Sequence, residues 1–202
     1  MPIYHQGRKV KEVYHQGRKV KEIWHMGRKI YTSRKPVEVM PPTKYFDDAQ
    51  YWLRNTVRKY GLNYQTVTEL PFDIDSRNAT TMAVMFDGFS SLTTVPQLDT
   101  SNVTTMYQMF YRCSSLTTVP ALNTRNVTNM NYMFTYCPSL TSVPDMATSQ
   151  VTNMTEMLMG CARLTDGNVR LIGKHPQVNT SDMITNSGLT REPFYNSAGQ
   201  PI

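Results

Sequence analysis

Apolar side chains return every 24 residues through the middle of the chain. Met82, Met106, Met130 and Met154 form one column, and Met85, Met109, Met133 and Met157 form the next. Phe86, Phe110, Phe134 and Leu158 make a third column. Phe89, Cys113, Cys137 and Cys161 make a fourth, and Leu92, Leu116, Leu140 and Leu164 a fifth. A fixed period of this length predicts a solenoid whose coils bury apolar faces only against one another. Inside a coil, Met106, Met109, Phe110 and Cys113 lie at i, i+3, i+4 and i+7, the spacing of one face of a short helix. Asn102 to Thr104 precede that run with N-cap chemistry, as Asn78, Thr80, Asn126, Thr128 and Thr152 do in other coils. Leu116 to Pro120 then predicts a brief extended segment, because proline donates no ladder hydrogen bond.

Upstream, Phe46, Ala49, Trp52, Leu53, Val57 and Tyr60 follow helical spacing over residues 45–60. Asp47 and Asp48 stand near its start, Arg58 and Lys59 in its last turn, and Gly61 just beyond. Val67 to Pro71 repeats Leu92 to Pro96 with a shift of 25, so residues 45–71 read as an N-terminal cap. Residues 35–44, with Pro36, Pro41 and Pro42, read as a linker. Four repeats fill 72–166. The period fails after Leu164, and 167–202 reads as a diverged C-terminal cap.

A second period, of ten residues, opens the chain. Tyr4 to Val13 is followed by Tyr14 to Ile23 and by Trp24 to Tyr31. With hairpin loops at Gln6-Gly7, Gln16-Gly17 and Met26-Gly27, opposed residues around the second loop sum to 33. Lys11 then faces Glu22, Glu12 faces Lys21, Val13 faces Val20 and Val10 faces Ile23, pairings that stabilise a sheet. Ile3, Val10, Ile23 and Ile30 fall in one apolar row, and Tyr4, Lys9, Trp24 and Lys29 in an aromatic–cation row. Residues 1–34 therefore predict an antiparallel β-meander. Its apolar row needs a covering surface, so Ile3, Val10, Ile23, Ile30, Tyr4 and Trp24 are the candidate anchoring residues.

Charge sharpens the division. Residues 1–44 hold 11 of the 21 Lys and Arg and 3 of the 15 Asp and Glu, a balance of +8; the remainder holds 10 and 12, or −2. Charged strand edges explain that basic segment better than nucleic acid does. No apolar run is long enough to span a bilayer, and no apolar stretch after Met1 predicts a signal peptide.

Chemistry adds little. No nucleotide loop, zinc spacing or nucleophile elbow occurs, so neither an enzyme nor a cofactor is expected. The three cysteines replace Phe89 in its column and read as core slots. The methionine columns read as a core stripe rather than a copper site or oxidation switch. His5, His15 and His25 flank turns at alternating ends of the sheet. Asp75, Asp99 and Asn123 read as Asx turns rather than calcium ligands. Asn78, Asn102 and Asn126 open glycosylation triplets that a chain without a secretion signal would not use.

The outward positions form ladders. Thr93, Thr117 and Thr141 make one, and Thr94, Thr118 and Ser142 another; Gln97, Ala121 and Asp145 lie beside them, with Tyr107 and Tyr132 on the helical side. Thr93, Thr94, Gln97, Thr117, Thr118, Thr141, Ser142 and Asp145 form a candidate ligand face for glycan or protein. Threonine's ordinary preference for exposed strand positions explains the same ladders.

The block Val103 to Pro120, repeated at Val127 to Pro144, resembles the BspA-like leucine-rich repeats of bacterial and mycoplasma surface proteins and some phage proteins. The resemblance covers about 72–166 and implies a leucine-rich-repeat-like solenoid with a surface or adhesion role. The opening ten-residue repeat is similar to repeated starts of virion proteins in phages of Gram-positive bacteria. The expected fold class is thus α+β: an antiparallel β-meander, then an α/β solenoid with helical N-cap and diverged C-cap. The expected function is a non-enzymatic, homo-oligomeric component of a tailed-phage virion, a capsid decoration or tail fibre part. Residues 1–44 would dock on other virion proteins, and the solenoid would face a host-surface glycan or protein. The alternative is a bacterial cell-surface adhesin.

Overall fold

The computed structural model describes residues 35–202 in full; of the first 34 it describes the backbone of four strands. The chain divides into two compact units, Met1–Pro36 and Val37–Ile202.

The first unit holds strands β1 (Ile3–His5), β2 (Arg8–His15), β3 (Arg18–His25) and β4 (Arg28–Ile30), hydrogen-bonded in that order. Neighbours run antiparallel, with Ile3 opposite Val10, Val10 opposite Ile23 and Ile23 opposite Ile30. Lys11 lies opposite Glu22 and Glu12 opposite Lys21. The loops at Gln6-Gly7, Gln16-Gly17 and Met26-Gly27, and the side chains of the expected rows, lie outside the described residues, as do those of His5, His15 and His25.

In the second unit, β5 (Val37–Val39) pairs in parallel with β6 (Asp73–Asp75). Between them lies α1 (Asp48–Lys59), inside the span its apolar spacing predicts. The Asp48 carboxylate accepts the Lys44 and Tyr45 amides at 2.6 and 2.7 Å, and those two bonds hold it below the usual carboxylate range. At the other end Gly61 takes φ +74°, its amide donates to Arg58, and the Leu62 amide donates to Val57. That pair of bonds is the Schellman closure that a glycine permits.

The expected fold class requires correction. Among the described residues α1 is the one helix, the strands are short and gathered in small sheets, and the coils carry no helix–strand unit. The leucine-rich-repeat-like α/β solenoid, and the meander-plus-solenoid class built on it, is therefore not the architecture. The reason lies in where the amides go. In a helix every amide donates to the carbonyl four residues back. Here the Met82, Val84, Phe86 and Gly88 amides instead leave the coil for the carbonyls of Thr105, Tyr107, Met109 and Tyr111, at 2.8–3.1 Å. The intervening Met85, Asp87 and Phe89 amides reach only three residues back, to Met82, Val84 and Phe86. The run is a chain of tight turns, each needing a left-handed residue every fourth position. Val84, Gln108, Tyr132, Glu156 and Asp182 fill one such column, and Gly88, Arg112, Tyr136, Gly160 and Asn186 the other, all at φ between +51° and +75°.

Successive repeats stack by this ladder. Thr81, Thr105, Asn129, Asn153 and Asn179 join by parallel bridges. The inward columns are fully buried: Met82, Met85, Met106, Met109, Met130, Met133, Met154 and Met157 are 0% exposed. Phe86, Phe110 and Phe134 stack face to face at 5.3 Å spacing. Cys113, Cys137 and Cys161 donate to the carbonyls of Phe86, Phe110 and Phe134 at 3.0–3.1 Å. Burial pushes all three thiols above their ordinary value, Cys161 to about 12.

The ladder does not stop where the period fails: Glu156, Leu158 and Gly160 donate on to Ser181, Met183 and Thr185. On the other side β7 (Met146–Ala147), β8 (Leu171–Ile172) and β9 (Phe194–Tyr195) pair in parallel. The chain then folds back, with Ile202 donating to Phe194. At the first coil, Thr43 donates its hydroxyl to Thr81 and Arg54 donates to the Asp87 carbonyl at 2.8 Å, so the cap covers carbonyls that a preceding coil would take.

Candidate binding surface

The stack turns three surfaces outward, and the ladder geometry decides what each can do. The threonine face comes first. Thr93, Thr117 and Thr141 each donate the hydroxyl to the carbonyl of the residue one rung earlier, Thr68, Thr93 and Thr117, at 3.0–3.1 Å. Thr104, Thr128 and Thr152 repeat the arrangement on Thr80, Thr104 and Thr128. These donors hold the coils together, which leaves only acceptor lone pairs for a ligand. Thr94 and Thr118 are exposed beside them, and Ser142 is half-buried.

Gln97 and Asp145 sit at the edge of a second surface, an open groove of about 600 Å³ across three coils. Asp99, Ser101, Asn123 and Arg125 also line it. Much of its polar lining is already engaged. The Gln97 amide donates to Ala121 at 2.9 Å, the Asp99 carboxylate accepts both donors of Ser101, and Asp145 lies 3.4 Å from Arg170. The two Ser101 bonds hold Asp99 below the usual carboxylate range. Asp99 and Asn123 close turns onto the amides two residues on, as Asx turns do. Among the described residues no group of His, Cys, Asp and Glu could hold a metal ion.

The third surface is aromatic. Tyr107 and Tyr111 project from one coil, Tyr132 and Tyr136 from the next. Ring centroids lie 6.1 Å apart for Tyr107–Tyr132, 6.4 Å for Tyr111–Tyr132 and 6.1 Å for Tyr111–Tyr136. Phe46, just before α1, extends the cluster at 5.1 Å from Tyr107. Phe46 is 54% exposed and Tyr136 45%. The Arg112 guanidinium lies 4.8 Å over the Tyr111 ring. The Glu156 carboxylate beside Tyr132 raises that phenol above its ordinary value.

Of the residues the sequence nominates, the coils bring Thr93, Thr117 and Thr141 into one rung-to-rung line and place Gln97 and Asp145 along one groove. The backbone pairing aligns Ile3, Val10, Ile23 and Ile30, sets Tyr4 opposite Lys9, and sets Trp24 opposite Lys9 and Lys29. Sequence reasoning places Tyr107 and Tyr132 at the surface but misses Phe46, Tyr111 and Tyr136. The available signal was substitution: Tyr111 and Tyr136 stand where the preceding or following coils carry Asp87, Met159, Gly88 and Gly160.

A family model described as a Mycoplasma protein of unknown function, DUF285, matches residues 53–187, more than half of the 202-residue chain. No curated protein and no solved structure matches the chain.

Proposed function

We propose that this chain, which belongs to the DUF285 family of Mycoplasma proteins of unknown function, is a non-enzymatic display protein of a tailed-phage particle. Residues 1–44 dock it on other capsid or tail proteins, and the stacked repeats face outward to a host-surface glycan or protein. The observation that carries the reading is the saturation of the repeat body. Its interior columns are apolar, its ladder amides from Met82 to Gly160 pair from coil to coil, and the hydroxyls of Thr93, Thr117 and Thr141 are engaged, which supports a role for surface rather than for reactive groups. The opening ten-residue repeat, similar to virion protein starts, supports the particle over a cell envelope. No helix among the described residues is long and apolar enough to cross a membrane. The resemblance to BspA-like surface repeats supports the alternative, a bacterial surface adhesin.

Gold labelling with an antibody against residues 72–166, on lysate and intact cells of the source strain, separates the two readings. Label on particles is the expected result, and its position distinguishes head from tail. Label confined to cell envelopes sinks the phage reading. The docking role has its own test. Val10→Asp with Ile23→Asp should abolish incorporation while residues 37–202 keep their melting transition; normal incorporation refutes it.

A further inference from the structure

We propose that the four-stranded meander joins a second copy of this chain edge to edge, β4 of one against β1 of the next, with Ile30 opposite Ile3 and Lys29 opposite Tyr4. The contact goes beyond the reading above and uses the edges of the sheet rather than its faces, so it stands whether or not the chain belongs to a particle.

The chain already contains this contact once. Between β2 and β3, Lys9 lies opposite Trp24 and Val10 opposite Ile23. The ten-residue period makes β4 (Arg-Lys-Ile) a second version of the start of β2 (Arg-Lys-Val), and β1 (Ile-Tyr-His) a second version of the end of β3 (Ile-Trp-His). Setting β4 beside the β1 of another copy therefore opposes the same residue types in the same antiparallel register. The aliphatic row Ile3, Val10, Ile23, Ile30 runs on into the next Ile3, and lysine goes on alternating with an aromatic residue. Pairs of both kinds stabilise a sheet. The occupant that reproduces the internal contact residue type for residue type is this chain itself.

The hydrogen bonds agree. A strand residue turns its amide and carbonyl to one side, and its neighbours turn theirs to the other. Two residues separate β1 from β2 and β3 from β4. A loop of that length makes the flanking pairs, His5–Arg8 and His25–Arg28, the bonded ones. Tyr4 and Lys29 accordingly turn their backbone groups to the outer edges, where β1 and β4 have no neighbour among the described residues. Setting Lys29 opposite Tyr4 brings those groups together; a register shifted by one residue would not.

Other pairings of two copies fit worse. Bonded in phase, β4 against β4 sets Lys29 opposite Lys29, like charges that destabilise a pair. Pairing β1 against β1 leaves β4 open in both copies. Three-residue edges and an edge lysine are ordinary devices against strand pairing, and they make a single contact weak. A head-to-tail contact repeats, closing a ring or running on as a filament, so each copy is held at both edges.

The test uses the full chain. Sedimentation velocity over a range of concentrations should show a reversible oligomer. Tyr4→Pro and Lys29→Pro each remove an amide that points away from the sheet, a place where an edge strand accepts proline. Each should weaken self-association by about tenfold or more and keep the parent's strand signal in circular dichroism. Ile3→Cys with Ile30→Cys reads the register directly. Within one chain these positions lie three strand spacings apart, roughly 14 Å, too far for a disulfide. Between copies they form a non-hydrogen-bonded pair at about 4.5 Å. Oxidation should give a ladder of covalent oligomers on a non-reducing gel, and Ile3→Cys with Arg28→Cys, out of register, should give far less. A parent that stays monomeric at every concentration overturns the proposal. So does an oligomer that survives both proline variants, or equal cross-linking by the two cysteine pairs. If a proline variant loses its strand signal, the cysteine ladder decides, and its absence overturns the proposal. Gold label confined to envelopes would remove the particle reading and leave this contact standing.

Discussion

Gly160→Ala should destabilise the repeat body through two separable effects. Gly160 holds φ +74°, and a Cβ there would stand 2.9 Å from Tyr136 Cδ1. Alanine in the left-handed region costs about 1–2 kcal/mol. Forcing a methyl into an occupied site costs about 1–3 kcal/mol, and the low end applies because Tyr136 is 45% exposed and can swing outward. The sum is about 2–3 kcal/mol, or a fall in melting temperature of about 5–10 °C for a body of this size. In a Tyr136→Gly background only the backbone part should remain, about 1–2 kcal/mol, so the cycle yields a coupling near 1 kcal/mol. Gly61→Ala is the control. Gly61 has the same φ of +74° with nothing within 4 Å of the added Cβ, and it should lose the backbone part alone. Calorimetry and urea titration of the parent, both single variants and the double variant measure all of this. An equal loss with and without the Tyr136 ring would refute the packing argument, and no loss at all would refute the left-handed ladder.

Three further outcomes follow from the same geometry. Thr117→Val removes a hydroxyl bond to the Thr93 carbonyl but keeps the parallel amide bond, so urea titration should show a loss of about 0.5–1 kcal/mol; an unchanged midpoint would mean that the threonine ladder contributes nothing. The buried thiols are raised in the folded chain, so their contribution is complete below the unfolded value of about 8.5 and is lost as pH rises toward about 12 for Cys161. Stability should therefore fall between pH 8.5 and 11, and a Cys113, Cys137 and Cys161→Ala variant should fall less steeply; parallel pH profiles would contradict the assignment. Asp48→Asn should lower the melting temperature at pH 7, where the depressed carboxylate is charged. That contribution is present above the unfolded carboxylate range and is lost as pH falls through the folded value, so parent and variant should converge in acid; a gap that persists there would place the effect elsewhere.

Much of the order of this chain was readable from columns. The methionines, the Phe86–Phe110–Phe134 stack and the cysteine slot were all visible as buried positions before any geometry. So was the opposition of Lys11 to Glu22, because charge pairing selects one register among those the ten-residue period allows. The error lay in converting Met106, Met109, Phe110 and Cys113 into a helix. A helix and a chain of four-residue turns return the same side at i+3, i+4 and i+7, so periodicity alone does not separate them. Gly88 and Gly160 in one column carried the distinguishing signal, a left-handed requirement that Arg112 and Tyr136 in the same column masked. The aromatic surface was missed for a related reason. Attention to what repeats passes over Tyr111 and Tyr136, each the one aromatic residue of its column.

The ladder has a direction. Its first coil is sealed by Thr43 and Arg54, whereas the Asp182, Ile184 and Asn186 amides of its last coil have no backbone partner among the described residues. Extra residues enter at the corner between Leu164 and Asn179: the offset between bonded partners grows from 24 at Asn129–Asn153 to 25 at Met146–Leu171 and 26 at Asn153–Asn179. A gene for such a protein can therefore lengthen by duplicating whole coils ahead of the open end, or drift by insertions at that corner. A single codon gained within 82–89 would instead move every later left-handed position in that coil onto the wrong residue.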